Sequence, residues 1–210
     1  MQKIMFNDKY GLTEAVLAKR KTQTRRAVND WEMMKLLRKF DSQGSLLTLY
    51  ERFNFNPKLC ELFILNRRVM HYRRNEIIAI AQPYKDVYFH PSIKRPRPDM
   101  ETEKGWSNKM FVRAEDMPHH IRITKISIER LQDISEDDCL KEGIKEIYEN
   151  GVDDSSEFYG YAYLPDATPC VDETYNYPQE AYASLINRIS GKGTWESDPY
   201  VFVYDFERID

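Results

Sequence analysis

The stretch His119-His120-Ile121-Arg122-Ile123-Thr124-Lys125-Ile126-Ser127-Ile128-Glu129-Arg130 decides the fold. Ile121 and Ile123 alternate with polar residues, the period of a strand with one buried face. Ile126 and Ile128 alternate in the opposite phase. One extra residue between the two runs returns all four isoleucines to the same face, so the pattern predicts a β-bulge near Thr124-Lys125. Bulges bend strands, and a long bent strand suits a small barrel better than a flat sheet.

Working outward, residues 4–6 read as a short strand, and Leu12, Val16 and Leu17 place a helix before Lys19. Trp31, Met34, Leu37 and Phe40 predict a second helix, with Asn29 or Asp30 as its N-cap. Residues 46–50 and 62–65 are strand candidates, and the isoleucine-rich 76–82 is a stronger one. Residues 84–107 hold Pro91, Pro96 and Pro98, with Pro83 at their edge, and read as loop. After the bulged strand, Ser135 with Asp138 three residues on predicts a capped helix whose acids suit its dipole, with Gly143 at its end. Residues 150–177 read as a long acidic, tyrosine-rich loop. Pro178 then opens a helix with Tyr182, Leu185, Ile186 and Ile189 on one face, and Gly191 and Gly193 stop it. Residues 200–206 (YVFVYDF) are the closing strand. The sum is an α+β chain, a small β-barrel with flanking helices, in one domain spanning 1–210 with insertions near 84–108 and 150–177.

Composition narrows the function. The 210 residues include 31 Lys+Arg and 34 Asp+Glu, and 13% are aromatic, which argues against disorder. No run is long and apolar enough for a membrane span, and the N-terminus lacks the apolar core of a secretory leader, so a cytoplasmic protein is expected. Cys60, Cys139 and Cys170 are odd in number and lack CxxC spacing, and the four histidines form no HExxH, so no disulfide framework, metal or cofactor is expected. His119 and His120 read as surface.

The near-neutral total hides polarity along the chain. From Glu146 to Asn187 there is no Lys or Arg, against nine acids, so the remainder carries 31 basic and 25 acidic groups. The basic excess clusters at 19–26 (KRKTQTRR), 67–74 (RRVMHYRR) and 94–97 (KRPR). Basic clusters near Tyr50, Phe53, Phe55 and Tyr72 suit a nucleic acid or nucleotide, through phosphate neutralisation and base stacking. Opposite charge makes the acidic segment a candidate lid over residues 19–26.

Three segments together resemble the ASCH domain family, a branch of the PUA-like barrels, and most of all its phage and prophage members. They are AKRKTQTRR at 18–26, IERLQDI at 128–134 followed by SEDDCLKEGI, and WESDPYVFVYDF at 195–206. The chain departs from the family in having Lys19 where Gly is usual, and Arg74-Asn75-Glu76 and Ile80-Ala81-Gln82 where many relatives carry Gly-Asp and then Val-Arg-Glu. The resemblance implies a PUA-like barrel that binds RNA or a modified nucleoside. Some small family members are amidohydrolases that deacetylate N4-acetylcytidine with a Lys, a Thr and a Glu. Here that set falls on Lys21, Thr24 and Glu142, with Arg20, Arg25, Arg26 and Arg74 as ligand-binding candidates.

The chemistry of such a set is coherent. A threonine hydroxyl needs a base, a desolvated lysine can be that base, and a carboxylate can orient it or pass its proton to the leaving amine. In an extended strand Lys21 and Thr24 would face opposite ways, so the set requires a bend between them. Binding without turnover, hydrolysis of an N4-acylated cytidine-type nucleoside, and a non-enzymatic role as a mobile-element accessory protein are the three alternatives.

Overall fold

The computed structural model describes residues 1–29, 31–41, 70–93, 99–150, 157–163 and 173–210. The strand candidates at 46–50 and 62–65, Asp30, the cations Arg67 and Arg68, the 94–97 cluster, and Tyr50, Phe53 and Phe55 lie outside these residues.

A five-stranded mixed sheet organises the chain. Its strands are β1 (Gln2–Ile4), β2 (Gln23–Ala27), β3 (Ile77–Ile80), β4 (His120–Arg130) and β7 (Tyr200–Arg208), in spatial order β1-β3-β4-β7-β2. β1 runs parallel to β3, and the other pairs are antiparallel. β1 starts and ends two residues earlier than the sequence pattern suggests. The bulge in β4 falls where the isoleucine phase changes: Ile123 pairs with Phe206 and Lys125 with Asp205, leaving Thr124 as the extra residue. Ile121 and Ile123 are fully buried, while Ile126 and Ile128 are half-buried against the same core. In β7 five successive residues, Tyr200 to Tyr204, are all buried, because this strand sits between β4 and β2 with both faces covered.

Helices pack on the sheet. α1 (Leu12–Leu17) and α2 (Trp31–Asp41) follow β1 and β2. In α2 Met33 and Leu37, four residues apart, are buried, and Trp31 is 63% exposed, since a helical face advances by 3.6 residues rather than three. Ser135 caps α4 (Glu136–Lys141) by accepting from the Asp138 amide at 3.2 Å. α5 (Pro178–Ser190) buries Pro178, Ala181, Tyr182 and Leu185 on one face, and Trp195 of α6 (Thr194–Ser197) packs edge-on to Tyr182.

Two stretches read as loop carry structure. After β3, α3 (Tyr84–Val87) and four single 3-10 turns between Met100 and Asp116 cover the sheet face opposite the main core. Ala79 and Ala81 alternate with Ile78 and Ile80, so β3 feeds one core from each face. Gly105 permits this wrap: a Cβ there would lie 2.6 Å from the Tyr84 ring. Within 150–177, the residues Glu157–Ala162 form β6, paired antiparallel with β5 (Lys145–Asn150) in a separate two-stranded sheet. Tyr161 bridges to Tyr175, and Tyr163 is buried in the main core against Tyr10. Single-sequence alternation is weak in EFYGYA because Gly160 interrupts it.

Candidate active site

The site lies where the exit of α1, strand β2, the end of α4 and one face of α5 meet. α1 ends at Leu17 with Ala18 as its cap, and Lys19 follows with φ 59°. This left-handed residue reverses the chain, so that the amides of Arg20 and Lys21 both bond to the Ala15 carbonyl, at 2.8 and 2.9 Å. Lys21 is therefore held in the helix exit rather than in β2, which begins at Gln23, and strand alternation does not govern its direction. The Thr22 amide then bonds to the Lys141 carbonyl at 2.9 Å, bringing β2 against the end of α4.

That end carries Glu142, 4% exposed, followed by Gly143 with φ 108°. A side chain at Gly143 would be strained, and its Cβ would stand 3.3 Å from Leu12 and 3.7 Å from the Lys21 side chain. Glycine here lets Lys21 and Glu142 close on each other. Lys21 Nζ donates to the Glu142 carboxylate and, at 2.7 Å, to the Glu142 main-chain carbonyl. Its ammonium also lies 5.9 Å from the centre of the Phe6 ring.

Arg25 anchors the acidic side. Its guanidinium donates to Glu129 at 2.8 Å, Gln23 Oε1 at 2.6 Å, Glu142 at 3.1 Å and Asp138 at 3.4 Å. Gln23 in turn donates to Asp205 at 2.7 Å. Burial disfavours the charge on Arg25, but Glu142, Tyr182 and Glu129 outweigh it and hold the guanidinium firmly cationic. Burial pushes the Glu129 carboxyl up despite its contact with Arg25. Burial also pulls the Lys21 ammonium below its ordinary value; Glu142 opposes this, and the charges on Arg26 and Arg25 add to it. Cys139 packs behind the network, with its thiol pushed up to about 12 by burial, so it supplies no thiolate at neutral pH.

These groups face a cavity of about 250 Å³. Lys21, Thr24, Arg25, Arg26 and Glu142 line it, with Phe6, Leu12, Tyr182, Leu185, Ile186 and Ile189 as its apolar walls. Thr24 is buried, and its hydroxyl makes no hydrogen bond to another described residue. Two of the sequence candidates sit elsewhere. Arg20 points to solvent and pairs with Glu14 at 3.7 Å, because the turn at Lys19 aims it away from the cavity. Arg74 is exposed in the turn before β3. Among the described residues, none from 150–177 lines the cavity.

Tyr182, Gln23, Glu129 and Asp138 escaped the sequence reading as site residues. Tyr182 is fully buried and its hydroxyl lacks a hydrogen-bond partner among the described residues, while its ring lies 6.0 Å from the Arg25 guanidinium carbon. The helical period of α5 marks Tyr182 as core, and nothing in that period separates a core ring from a cavity wall. Gln23 had a local signal, since it stands two residues before Arg25 on the same strand face. Among the described residues no group of three His, Cys, Asp or Glu is arranged to hold a metal ion, and no helix is long and apolar enough to cross a membrane. The chain matches no family model, and no curated protein or solved structure matches it.

Proposed function

We propose that this chain is an ASCH-type domain with a PUA-like barrel, and that it hydrolyses the amide of an N4-acylated cytidine-type nucleoside. One observation carries the reading: Lys21 and Thr24 from one segment and Glu142, 121 residues beyond Lys21, line one cavity of about 250 Å³. That volume lies just below the ~300–1,000 Å³ of ordinary small-molecule sites and suits one base with its acyl group. The family resemblance gains support from the bulge in β4 and from Lys19, whose left-handed backbone accounts for the glycine usual in relatives. Asn75, in the stretch set against the family's Gly-Asp, is left-handed too, at φ 64°. Asparagine tolerates that conformation better than most residues.

In this mechanism the neutral amine of Lys21 takes the proton of Thr24 Oγ1 as that oxygen bonds to the acyl carbon. The C–N bond breaks, and the proton passes from Lys21 to the leaving exocyclic amine. Water then adds to the threonyl ester, releasing the carboxylic acid and restoring Thr24. Glu142 orients Lys21, and Arg25 fixes Glu142.

The Lys21–Glu142 contact favours a second reading, in which the cavity binds a modified nucleoside or an RNA base without turnover, since an ammonium donating to a carboxylate is not yet a base. Incubation with N4-acetylcytidine and other acylated nucleosides, followed by chromatography, separates the two. Release of cytidine that is lost in Thr24→Ala and Lys21→Met supports hydrolysis; binding without release by the wild-type chain supports the second reading.

A further inference from the structure

The cations lining the cavity differ in how they are neutralised. Lys21 is paired with Glu142, and Arg25 with Glu129, Asp138 and Glu142. Arg26 is half-buried at the cavity, and its one hydrogen bond to a described residue is to the Met5 carbonyl oxygen, at 3.1 Å. Among the described residues Arg26 has no acidic partner. The interior end of the site is thus richer in carboxylates than in cations, and the other end presents a guanidinium held in place by an uncharged acceptor.

Arg26 stands two residues beyond Thr24 on β2, so the two side chains leave the same strand face about 7 Å apart. We propose that Arg26 is a phosphate subsite, and that the ligand is a nucleoside 5′-monophosphate rather than a neutral nucleoside. This rests on reading the cavity as a cytidine-type site. The exocyclic amine and the phosphate are at opposite ends of such a molecule. The carboxylates around Arg25 repel phosphate and Arg26 attracts it, which sets the base inward toward Thr24 and Lys21. A guanidinium presents several donors in a fixed fork that matches phosphate oxygens.

Titration calorimetry with cytidine 5′-monophosphate and with cytidine tests binding without requiring turnover. The monophosphate should bind tighter by on the order of tenfold to a hundredfold, the range of a charge-assisted hydrogen bond. The advantage should shrink as salt rises. In Arg26→Gln the ratio should fall close to one, and Arg26→Lys should keep part of it. Equal affinities in the wild-type chain overturn the proposal, and so does a preference that persists in a folded Arg26→Gln. The kcat/KM ratio for N4-acetylcytidine 5′-monophosphate over N4-acetylcytidine should follow the same pattern. If neither acylated compound turns over but the binding preference depends on Arg26, the hydrolase reading fails and the phosphate subsite stands.

Discussion

Lys21 grips both ends of Glu142: its ammonium donates to the side-chain carboxylate and, at 2.7 Å, to the main-chain carbonyl. A cation at this carbonyl complements the unpaired acceptors that close a helix. The pair joins the exit of α1 to the end of α4, 121 residues apart in sequence, so one contact ties two distant parts of the chain together beside the cavity.

Removing one partner of such a pair leaves the other buried and uncompensated, which costs ~3–5 kcal/mol when the survivor stays charged. Lys21 can shed its proton, so Glu142→Ala should lose about 3 kcal/mol in urea unfolding at pH 7. Glu142→Gln keeps an acceptor for Lys21 and should lose less. A loss below ~1 kcal/mol in Glu142→Ala would mean that the pair adds nothing net to stability.

The lowered Lys21 value makes stability depend on pH in a defined direction. Burial, the largest cause, disfavours the ammonium in the folded chain, whereas the unfolded chain titrates near the ordinary ~10.4. Between those two values the unfolded state binds more protons, so the Lys21 contribution to stability grows as pH rises across that window. Lys21→Met should remove this component of the stability profile. If Lys21 is the base, kcat/KM should also rise with pH through the lowered value, and Lys21→Arg should abolish turnover because arginine stays protonated. A flat rate profile over that range would remove Lys21 from the role of base.

Much of this arrangement was legible before the structure, and for physical reasons. The bulge in β4 announces itself because alternation is strict on both sides of Thr124. The Ser135 cap is a local event, readable from residues three apart. The Lys21–Thr24–Glu142 set came from the family resemblance. The convergence of Glu129, Asp138 and Tyr182 on Arg25 did not show, because it joins Arg25 to partners 104 or more residues away in sequence, the first of them through the β2–β7–β4 order. The second core under residues 84–117 was hidden for another reason. Single 3-10 turns have no sustained period, and the prolines at 91, 96 and 98 that precede them read as loop.

Lys19 carries backbone strain at a position that glycine would adopt freely. Its φ of 59° costs a β-carbon residue about 1–2 kcal/mol, partly offset in Lys19→Gly by the greater freedom of glycine in the unfolded chain. Lys19→Gly should therefore gain roughly 0.5–1 kcal/mol, read as a higher denaturant midpoint at unchanged slope. An unchanged or lower midpoint would mean that the lysine side chain makes a compensating contact.

The segment 150–177 divides into parts with different expected effects. Tyr163 is 3% exposed, meets Tyr10 edge-on with ring centres 5.7 Å apart, and stands 6.2 Å from Tyr175. Its hydroxyl donates to Glu173 at 3.1 Å, and Glu173 receives Arg188 of α5 at 2.6 Å. β6 and the return through Tyr175 thus tie the small sheet to the helix that walls the cavity. Tyr163→Ala should cost about 3 kcal/mol or more, the range for emptying a buried aromatic site, whereas Glu173→Gln at the exposed ion pair should cost under ~1 kcal/mol. Deleting 157–177 should abolish the cooperative thermal transition. Deleting only 151–156, between the paired residues Asn150 and Glu157, and rejoining the chain with a short turn should leave that transition in place. If the 157–177 deletion still melts cooperatively near the wild-type temperature, the segment is an appendage and Tyr163 is not part of the core that holds α5 over the cavity.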